Sequence, residues 1–132
     1  MSSSKQSIRT PLARVRGLGS ARAGTSDFWQ QRLTAIAMVL LIVPAIIIII
    51  MTLSWNHAGA KQVLGSTMVS IVLILFTLTS VWHMKIGMQV VIEDYVHDER
   101  LKLVSIIGNN FFSVAVALAS IYAISKLSFG GV

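Results

Sequence analysis

The sequence contains no cysteine, and among its 132 residues only five are acidic and two are prolines. Without cysteine the chain cannot form a disulfide, a thiolate metal site or a cysteine nucleophile. A chain of this length has room for one domain, and 55% of its residues are apolar. A soluble domain of this size cannot bury so much apolar surface. The composition therefore indicates a membrane protein.

Long stretches without any charged residue divide the chain. Asp, Glu, Lys and Arg are absent from Leu33–Ala60, Gln62–Met84 and Leu103–Ser125. Each stretch exceeds the ~20 residues that a helix needs to cross about 30 Å of hydrocarbon. The sequence therefore predicts an all-α integral membrane protein. Residues 27–132 would form a membrane domain of three transmembrane helices, with spans at about 33–55, 63–92 and 103–126.

The basic residues are distributed unevenly along the chain. Lys61 is the only cation in the first predicted loop, whereas Arg100 and Lys102 lie in the second. The largest group precedes the first span and consists of Lys5, Arg9, Arg14, Arg16, Arg22 and Arg32. By the positive-inside rule, the N-terminus and second loop are cytoplasmic, which makes the C-terminus periplasmic. The net charge of +6 is thus an orientation signal and a contact for lipid headgroups, not a nucleic-acid patch.

Residues 1–26 form a basic arm rich in Ser, Arg and Gly that contains no acid. This composition is typical of a poorly ordered or surface-lying segment on the cytoplasmic face. It also resembles an organellar transit peptide, although no clear amphipathic pattern is present. We therefore expect the bacterial inner membrane, with the mitochondrial inner membrane as the alternative.

Several local signals refine the predicted helices. Ser26-Asp27 offers an N-cap for the first helix, and Phe28 and Trp29 are suited to the membrane interface. Pro44 lies within the first span and removes one backbone hydrogen bond, so a bend is expected there. Residues 56–60 are expected to form a short outer loop.

His83 is the ionisable residue that fits least well in lipid. It lies ten residues before Glu93, so at 1.5 Å per residue it is ~15 Å inside the second span. A histidine at that depth is expected to be a haem ligand, a proton relay or a hydrogen-bonding partner of a neighbouring helix. At about 100° per residue, Gly87, Val90 and Asp94 share its helix face. A glycine one turn away lets a flat macrocycle approach the backbone.

The two remaining histidines cannot complete a bis-histidine haem site with His83. His57 falls in the predicted outer loop, and His97 lies beyond the acidic residues that end the second span. Three helices are also too few to enclose a haem. If His83 binds haem, another subunit must therefore supply the second ligand.

Two segments carry a family resemblance. The first is His83-Met-Lys-Ile-Gly87-Met-Gln-Val90-Val-Ile-Glu-Asp94-Tyr95, and the second is Gly24-Thr-Ser-Asp27-Phe28-Trp29-Gln-Gln-Arg32-Leu-Thr34-Ala-Ile-Ala37. The first resembles a motif of the small hydrophobic membrane anchor subunits of succinate dehydrogenase (respiratory complex II), of the small cytochrome b556 type. That motif has a glycine four residues after the histidine, and an Asp-Tyr pair eleven and twelve residues after it. The second segment is similar to the sequence that leads into the first transmembrane span in this family.

The resemblance implies roles for three residues, and Arg32 is a further candidate because it enters the bilayer from the cytoplasmic side. His83 would be one axial ligand of haem b, and Tyr95 would hydrogen-bond a ubiquinone carbonyl with Asp94 beside it for proton delivery. Arg32 would contact either a haem propionate or a lipid phosphate. From the residues alone, Tyr95 is an interfacial aromatic and Asp94 a solvated charge at a helix end. His97 and Glu99 are expected in a solvated loop.

The resemblance also implies a place in a complex. The chain would anchor the flavoprotein and iron–sulfur subunits of succinate dehydrogenase, pair with a second hydrophobic anchor subunit, and have no activity alone. Ubiquinone would be the substrate and haem b the shared cofactor. Two alternatives remain: a haem-free anchor of a quinol–fumarate reductase-like complex, and a small proton-coupled transporter component with His83 as its relay.

Overall fold

The computed structural model describes Thr10, Leu12 and residues 23–130. Four helices account for most of the described chain: α1 (Ala23–Ser54), α2 (His57–Leu64), α3 (Thr67–Tyr95) and α4 (Glu99–Ser128). No strand is present within these described ranges. The predicted basic arm, residues 1–26, lies outside them except for Thr10, Leu12 and positions 23–26.

Three of the helices are long and apolar enough to cross a membrane. They cover Thr25–Ser54, Thr67–Tyr95 and Glu99–Ser128. At 1.5 Å per residue, the shortest of them, with 29 residues, is ~44 Å long and exceeds the hydrocarbon thickness of a bilayer. The predicted all-α membrane fold with three spanning helices is confirmed.

The central position in the fold belongs to α3. It packs against α1 on one side and α4 on the other, whereas α1 and α4 make no direct packing contact in the described structure. The short α2 contacts all three long helices at the end where α1 finishes and α3 begins. The long helices therefore form an open row. One face of α3 contacts α1, and another face contacts α4.

The helix boundaries correct three local predictions. Because α1 begins at Ala23, Ser26 and Asp27 are inside its first turns, so the predicted N-cap at Ser26-Asp27 is wrong. Ser26 Oγ instead accepts a hydrogen bond from Gln30 Nε2. Helix α2 begins inside the expected outer loop, and its N-cap Asn56 accepts a hydrogen bond from Gly59 N at 3.0 Å. The second long helix starts at Thr67 rather than near residue 63. Helix α1 continues through Pro44.

The interior of the described chain is small. Ala45 and Ile48 on α1, and Ile86 and Ile92 on α3, are its buried apolar residues, whereas most large apolar side chains are exposed. Such exposure is expected where lipid replaces water around the helices. A polar contact joins α3 to α4, because buried Asn109 donates from Nδ2 to the Lys85 carbonyl at 2.9 Å.

The turn between α3 and α4 is fixed by short-range hydrogen bonds. Asp98 is the N-cap of α4, and its carboxylate accepts from Leu101 N at 2.8 Å. Lys102 Nζ donates to the Glu93 carbonyl at 3.0 Å and thus ties the two helix ends together. These contacts hold the predicted solvated residues His97 and Glu99 at the surface, where both are exposed.

Candidate functional site

His83 lies on the central helix α3 and faces α1. Its side chain is partly buried, and both ring nitrogens have a neighbour on α1. Nδ1 is 2.9 Å from the Thr34 hydroxyl oxygen, and Nε2 is 3.3 Å from the amide nitrogen of Gln31. Because Gln31 and Thr34 are three residues apart on a helix, they share a face and hold the imidazole between them.

Gly87 leaves open a space beside His83 that the Gln31 amide enters. A methyl group at Gly87 would lie 3.3 Å from Gln31 Nε2, and no other atom outside its own helix turn is within 4 Å. Gln31 Nε2 is therefore close both to the ring of His83 and to the backbone at Gly87. The neighbour that fills this space is the end of a flexible side chain, which can move.

Two buried polar atoms near His83 lack a hydrogen-bond partner. They are Gln31 Oε1 and the hydroxyl oxygen of Ser80, which precedes His83 by three residues on α3. Buried polar atoms are normally paired, so unpaired ones require an explanation. Gln31 is part of the His83 contact itself, and Ser80 lies about one helical turn before His83 on α3.

A second polar contact between α1 and α3 lies one residue away from the first. Trp82 Nε1 donates to Gln30 Oε1 at 3.0 Å. Lys85 Nζ is 5.2 Å from the centroid of the Trp82 ring, a cation–π distance. Together with the His83 contacts, this bond fixes the rotation of α1 relative to α3 at this level.

A cavity of about 350 Å³ adjoins the His83 region towards the Tyr95 end of α3. Gln31 connects the two, because it lines the cavity and also contacts His83. The cavity walls combine charged and apolar side chains: Asp27, Phe28, Gln31, Arg32, Ile86, Val90 and Glu93. The Arg32 guanidinium carbon is 4.1 Å from the centroid of the Phe28 ring, which orients its charge at the cavity wall.

Asp94 and Tyr95 lie at the exposed end of α3 and do not line this cavity. Tyr95 is 78% exposed, and its carbonyl accepts a hydrogen bond from His97 Nδ1 at 3.1 Å. Asp94 is exposed as well, whereas its neighbour Glu93 faces the cavity. Helical periodicity predicted that His83, Gly87 and Val90 share one face of α3 with Asp94. His83 and Gly87 both lie at the contact with α1, and Val90 lines the cavity.

The other predicted residues are more peripheral. His57 is the exposed first residue of α2, so it is surface-facing as expected but helical rather than in a loop. Within the described ranges, no group of three or more His, Asp or Glu side chains could hold a metal ion. That finding does not test the expected haem site, which would take only one histidine from each of two subunits.

Comparison with known proteins decides the family. The model of the succinate dehydrogenase/fumarate reductase transmembrane subunit family matches residues 6–117. The chain belongs to this family. A succinate dehydrogenase hydrophobic membrane anchor subunit from Rickettsia bellii (strain RML369-C) is 31% identical over 120 residues, covering 89% of this chain and 94% of the relative.

Two further relatives carry corresponding names. A succinate dehydrogenase hydrophobic membrane anchor subunit from Paracoccus denitrificans is 26% identical over 123 residues, which cover 93% of this chain and 95% of the relative. A succinate dehydrogenase membrane anchor subunit from Reclinomonas americana is 27% identical over 88 residues, or 64% of this chain and 73% of that protein. No solved structure matches the chain significantly. The family resemblance predicted from the motif is confirmed.

The α1 residues that contact Trp82 and His83 were not predicted from the sequence. Gln30, Gln31 and Thr34 supply the contacts to Trp82 and His83. A signal for them was present, because Gln31 and Thr34 are polar, three residues apart and close to the start of an apolar span. Polar side chains at that spacing on a membrane helix favour hydrogen bonds to a neighbouring helix.

Proposed function

We propose that the chain is a membrane anchor subunit of succinate dehydrogenase that contributes His83 as one axial ligand of haem b and forms part of a ubiquinone site. The observation that carries the proposal is the imidazole of His83, held deep in the central helix beside Gly87, in a chain of this family. An ionisable side chain at that depth is costly in lipid and is retained where it has a function.

The residues around His83 fit a flat group bound by its ring. Gly87 has no side chain, and the only atom close to a methyl group there is the flexible end of Gln31. Gln31 Oε1 and Ser80 Oγ are buried without hydrogen-bond partners, so the polar contacts of this region are incomplete within the described chain. Haem b, when bound, would supply a one-electron carrier near the quinone site. Arg32, at the cavity wall, would pair with a propionate, or alternatively with a lipid phosphate.

The proposal includes a second anchor subunit, because the other histidines of this chain lie too far from His83 to bind the same haem. His57 begins α2 and His97 lies in the turn between α3 and α4, at the two ends of the long helices. The second axial ligand would therefore come from the partner. The open row of helices supports this arrangement, since α3 is not enclosed by α1 and α4.

The quinone part of the proposal concerns the Tyr95 end of α3. A phenol is a neutral donor that stabilises negative charge developing on a quinone oxygen, and a carboxylate near water relays protons. Tyr95 and Asp94 have these groups, and both are exposed at the end of the helix. Glu93 and Arg32 line the adjoining cavity and add charge beside it. Ubiquinone would be the substrate at this position.

The proposed partners and location follow from the family and the charge distribution. The named relatives are succinate dehydrogenase anchor subunits, so the flavoprotein and iron–sulfur subunits would dock on this chain and its partner. The excess of basic residues before α1 favours a cytoplasmic N-terminus in a bacterial inner membrane. Tyr95 would then lie on the cytoplasmic side, together with the docked subunits.

Difference spectra, reduced minus oxidised, of the purified complex test the haem assignment. We expect a b-type band in the wild-type complex, its loss in His83→Ala, and its retention in the control His57→Ala, which alters an exposed histidine. A band that is unchanged in His83→Ala would rule out His83 as the ligand.

A haem-free anchor of the same family is the second candidate, and one observation favours it. Both ring nitrogens of His83 already have neighbours within the chain, on Thr34 and Gln31. In such a protein, His83 would serve to join α1 to α3. The wild-type complex would then show no b-type band at all, and His83→Ala would lower its stability instead.

A further inference from the structure

We infer that Thr34 is a positioning residue that fixes the tautomer and ring orientation of His83, so that the Nε2 lone pair is directed towards the space beside Gly87. The inference rests on the proposed function, because it concerns the ring nitrogen that would bind iron. It assigns a role to a residue on α1, whereas the proposed ligand is on α3.

The hydrogen bonds of Thr34 to the α1 backbone favour one direction for its contact with His83. Its hydroxyl oxygen donates to the Gln30 carbonyl at 2.8 Å and also lies 3.1 Å from the Gln31 carbonyl. A hydroxyl has one hydrogen, and carbonyl oxygens only accept. With that hydrogen directed at a carbonyl, the oxygen presents a lone pair to His83 Nδ1 at 2.9 Å. In that arrangement Nδ1 carries a hydrogen and donates it to Thr34.

The contact on the other side of the ring selects between the two possible tautomers. Gln31 Nε2 is an amide nitrogen, which only donates, and it lies 3.3 Å from His83 Nε2. His83 Nε2 must then be the acceptor and carry no hydrogen. A neutral imidazole that accepts at Nε2 is protonated at Nδ1, in agreement with the contact to Thr34.

This tautomer is the one required for a metal ligand bound through Nε2. Iron binds the ring nitrogen that has a free lone pair, while the other nitrogen donates its hydrogen to a nearby acceptor that orients the ring. Thr34 is that acceptor, and its own hydrogen is held by the Gln30 carbonyl. Two hydrogen bonds in series thus connect the α1 backbone to the α3 imidazole through the Thr34 hydroxyl.

Gln31 differs from Thr34 because it contacts the nitrogen that the iron would use. Its amide would have to leave His83 Nε2, which breaks one long hydrogen bond of 3.3 Å. Its other end, Oε1, is buried without a partner, so nothing else in the described structure holds the amide in this position. Thr34 thus keeps its contact when a ligand binds, whereas Gln31 gives way.

Two substitutions of Thr34 and one control substitution elsewhere on α1 test the positioning role of Thr34 in the assembled complex. Thr34→Val keeps the side-chain shape and removes the acceptor, and Thr34→Ser keeps the hydroxyl. Thr52→Val is the matched control, because Thr52 makes the same kind of hydrogen bond, to the Ile48 carbonyl at 2.7 Å, near the other end of α1. The measurements are haem retained per complex, haem midpoint potential and the electron paramagnetic resonance spectrum of the oxidised complex.

We expect Thr34→Val to weaken haem binding about 10- to 100-fold, the usual cost of removing the acceptor behind a ligating histidine. The haem that remains should have a more positive midpoint potential, because an imidazole without that acceptor is a less basic ligand. Thr34→Ser and Thr52→Val should both behave like the wild type. Thr34→Ala, which cannot clash, replaces Thr34→Val if the latter fails to assemble.

The outcomes separate this inference from the proposed function. Wild-type haem content and potential in Thr34→Val would overturn the role of Thr34 while leaving His83 as the ligand. A wild-type complex without a b-type band would overturn the haem assignment itself. In that case ¹⁵N spectra of histidine-labelled protein still test the tautomer: a His83 ring protonated at Nε2 contradicts the inference, and one protonated at Nδ1 in the wild type but mixed in Thr34→Val supports it.

Discussion

The amide of Gln31 on α1 fills the space that Gly87 leaves open on α3, with its nitrogen 3.3 Å from the position of a methyl group at Gly87. The same nitrogen is 3.3 Å from His83 Nε2. One flexible side chain therefore occupies the space next to the imidazole and the bare backbone at once. The absence of a side chain at Gly87 is not required by the packing of the helices, because the amide can move aside.

We expect Gly87→Ala to leave the isolated fold intact and to reduce haem retention. The methyl group would meet only Gln31 Nε2, and alanine favours the helix by about 0.5–1 kcal/mol over glycine. A flat ring that approaches the backbone would, however, meet the new methyl group. Haem per complex and thermal stability, measured side by side, check this prediction.

Gly108→Ala is the matched control for Gly87→Ala. Gly108 is also a helical glycine, on α4, and a methyl group there would have no atom within 4 Å. The Gly108→Ala complex should gain helix stability and retain its haem. A Gly87→Ala complex with a full complement of haem would show that no ring approaches the backbone at this position.

Tyr95→Phe should impair quinone reduction and leave artificial-dye reduction by the soluble subunits unchanged. The substitution removes one hydroxyl from an exposed side chain at the end of α3, so the fold should not change. A lost donor to the quinone oxygen is expected to lower quinone turnover by about 100- to 1,000-fold. Steady-state assays with both acceptors measure the difference.

The control for Tyr95→Phe is Tyr122→Phe on α4, which is 69% exposed and 27 residues further along the chain. It should turn over quinone at the wild-type rate. Normal quinone reduction in Tyr95→Phe would remove Tyr95 from the proposed site and favour its alternative role as an interfacial aromatic residue.

The three spans were predictable, and His83 was conspicuous, because membranes impose simple constraints. A spanning helix must avoid charge for about 20 residues, so the three runs of the sequence predicted α1, α3 and α4 directly. A histidine inside such a run is conspicuous, and its depth follows from the helical rise alone.

The partners of His83 were not predictable in the same way. Helix α1 is apolar nearly all round, so periodicity does not reveal which face packs against α3 and which faces lipid. The contacts of Gln31 and Thr34 depend on the rotation of α1 about its axis, which is a property of packing. Helix α2 was missed because eight residues are too few for a clear hydrophobic pattern.

Asn109→Ala should destabilise the contact between α3 and α4. Buried Asn109 donates to the Lys85 carbonyl, and hydrogen bonds between membrane helices contribute roughly 0.6–2 kcal/mol. Asn110→Ala is the control, since the bond to that carbonyl comes from Asn109. Unfolding of the purified complex in a detergent series measures the difference. Equal stability of the two variants would mean that the Lys85 contact contributes nothing to helix association.

The topology is testable with single cysteines, because the natural chain contains none. His57→Cys and His97→Cys introduce thiols at exposed positions, one at the start of α2 and the other between α3 and α4. A cytoplasmic N-terminus makes position 57 periplasmic and position 97 cytoplasmic. We therefore expect a membrane-impermeant maleimide to label His57→Cys in cells with a permeabilised outer membrane, and His97→Cys only after the inner membrane is broken. The reverse pattern would invert the topology and move Tyr95, with the proposed quinone site, to the side away from a cytoplasmic electron donor.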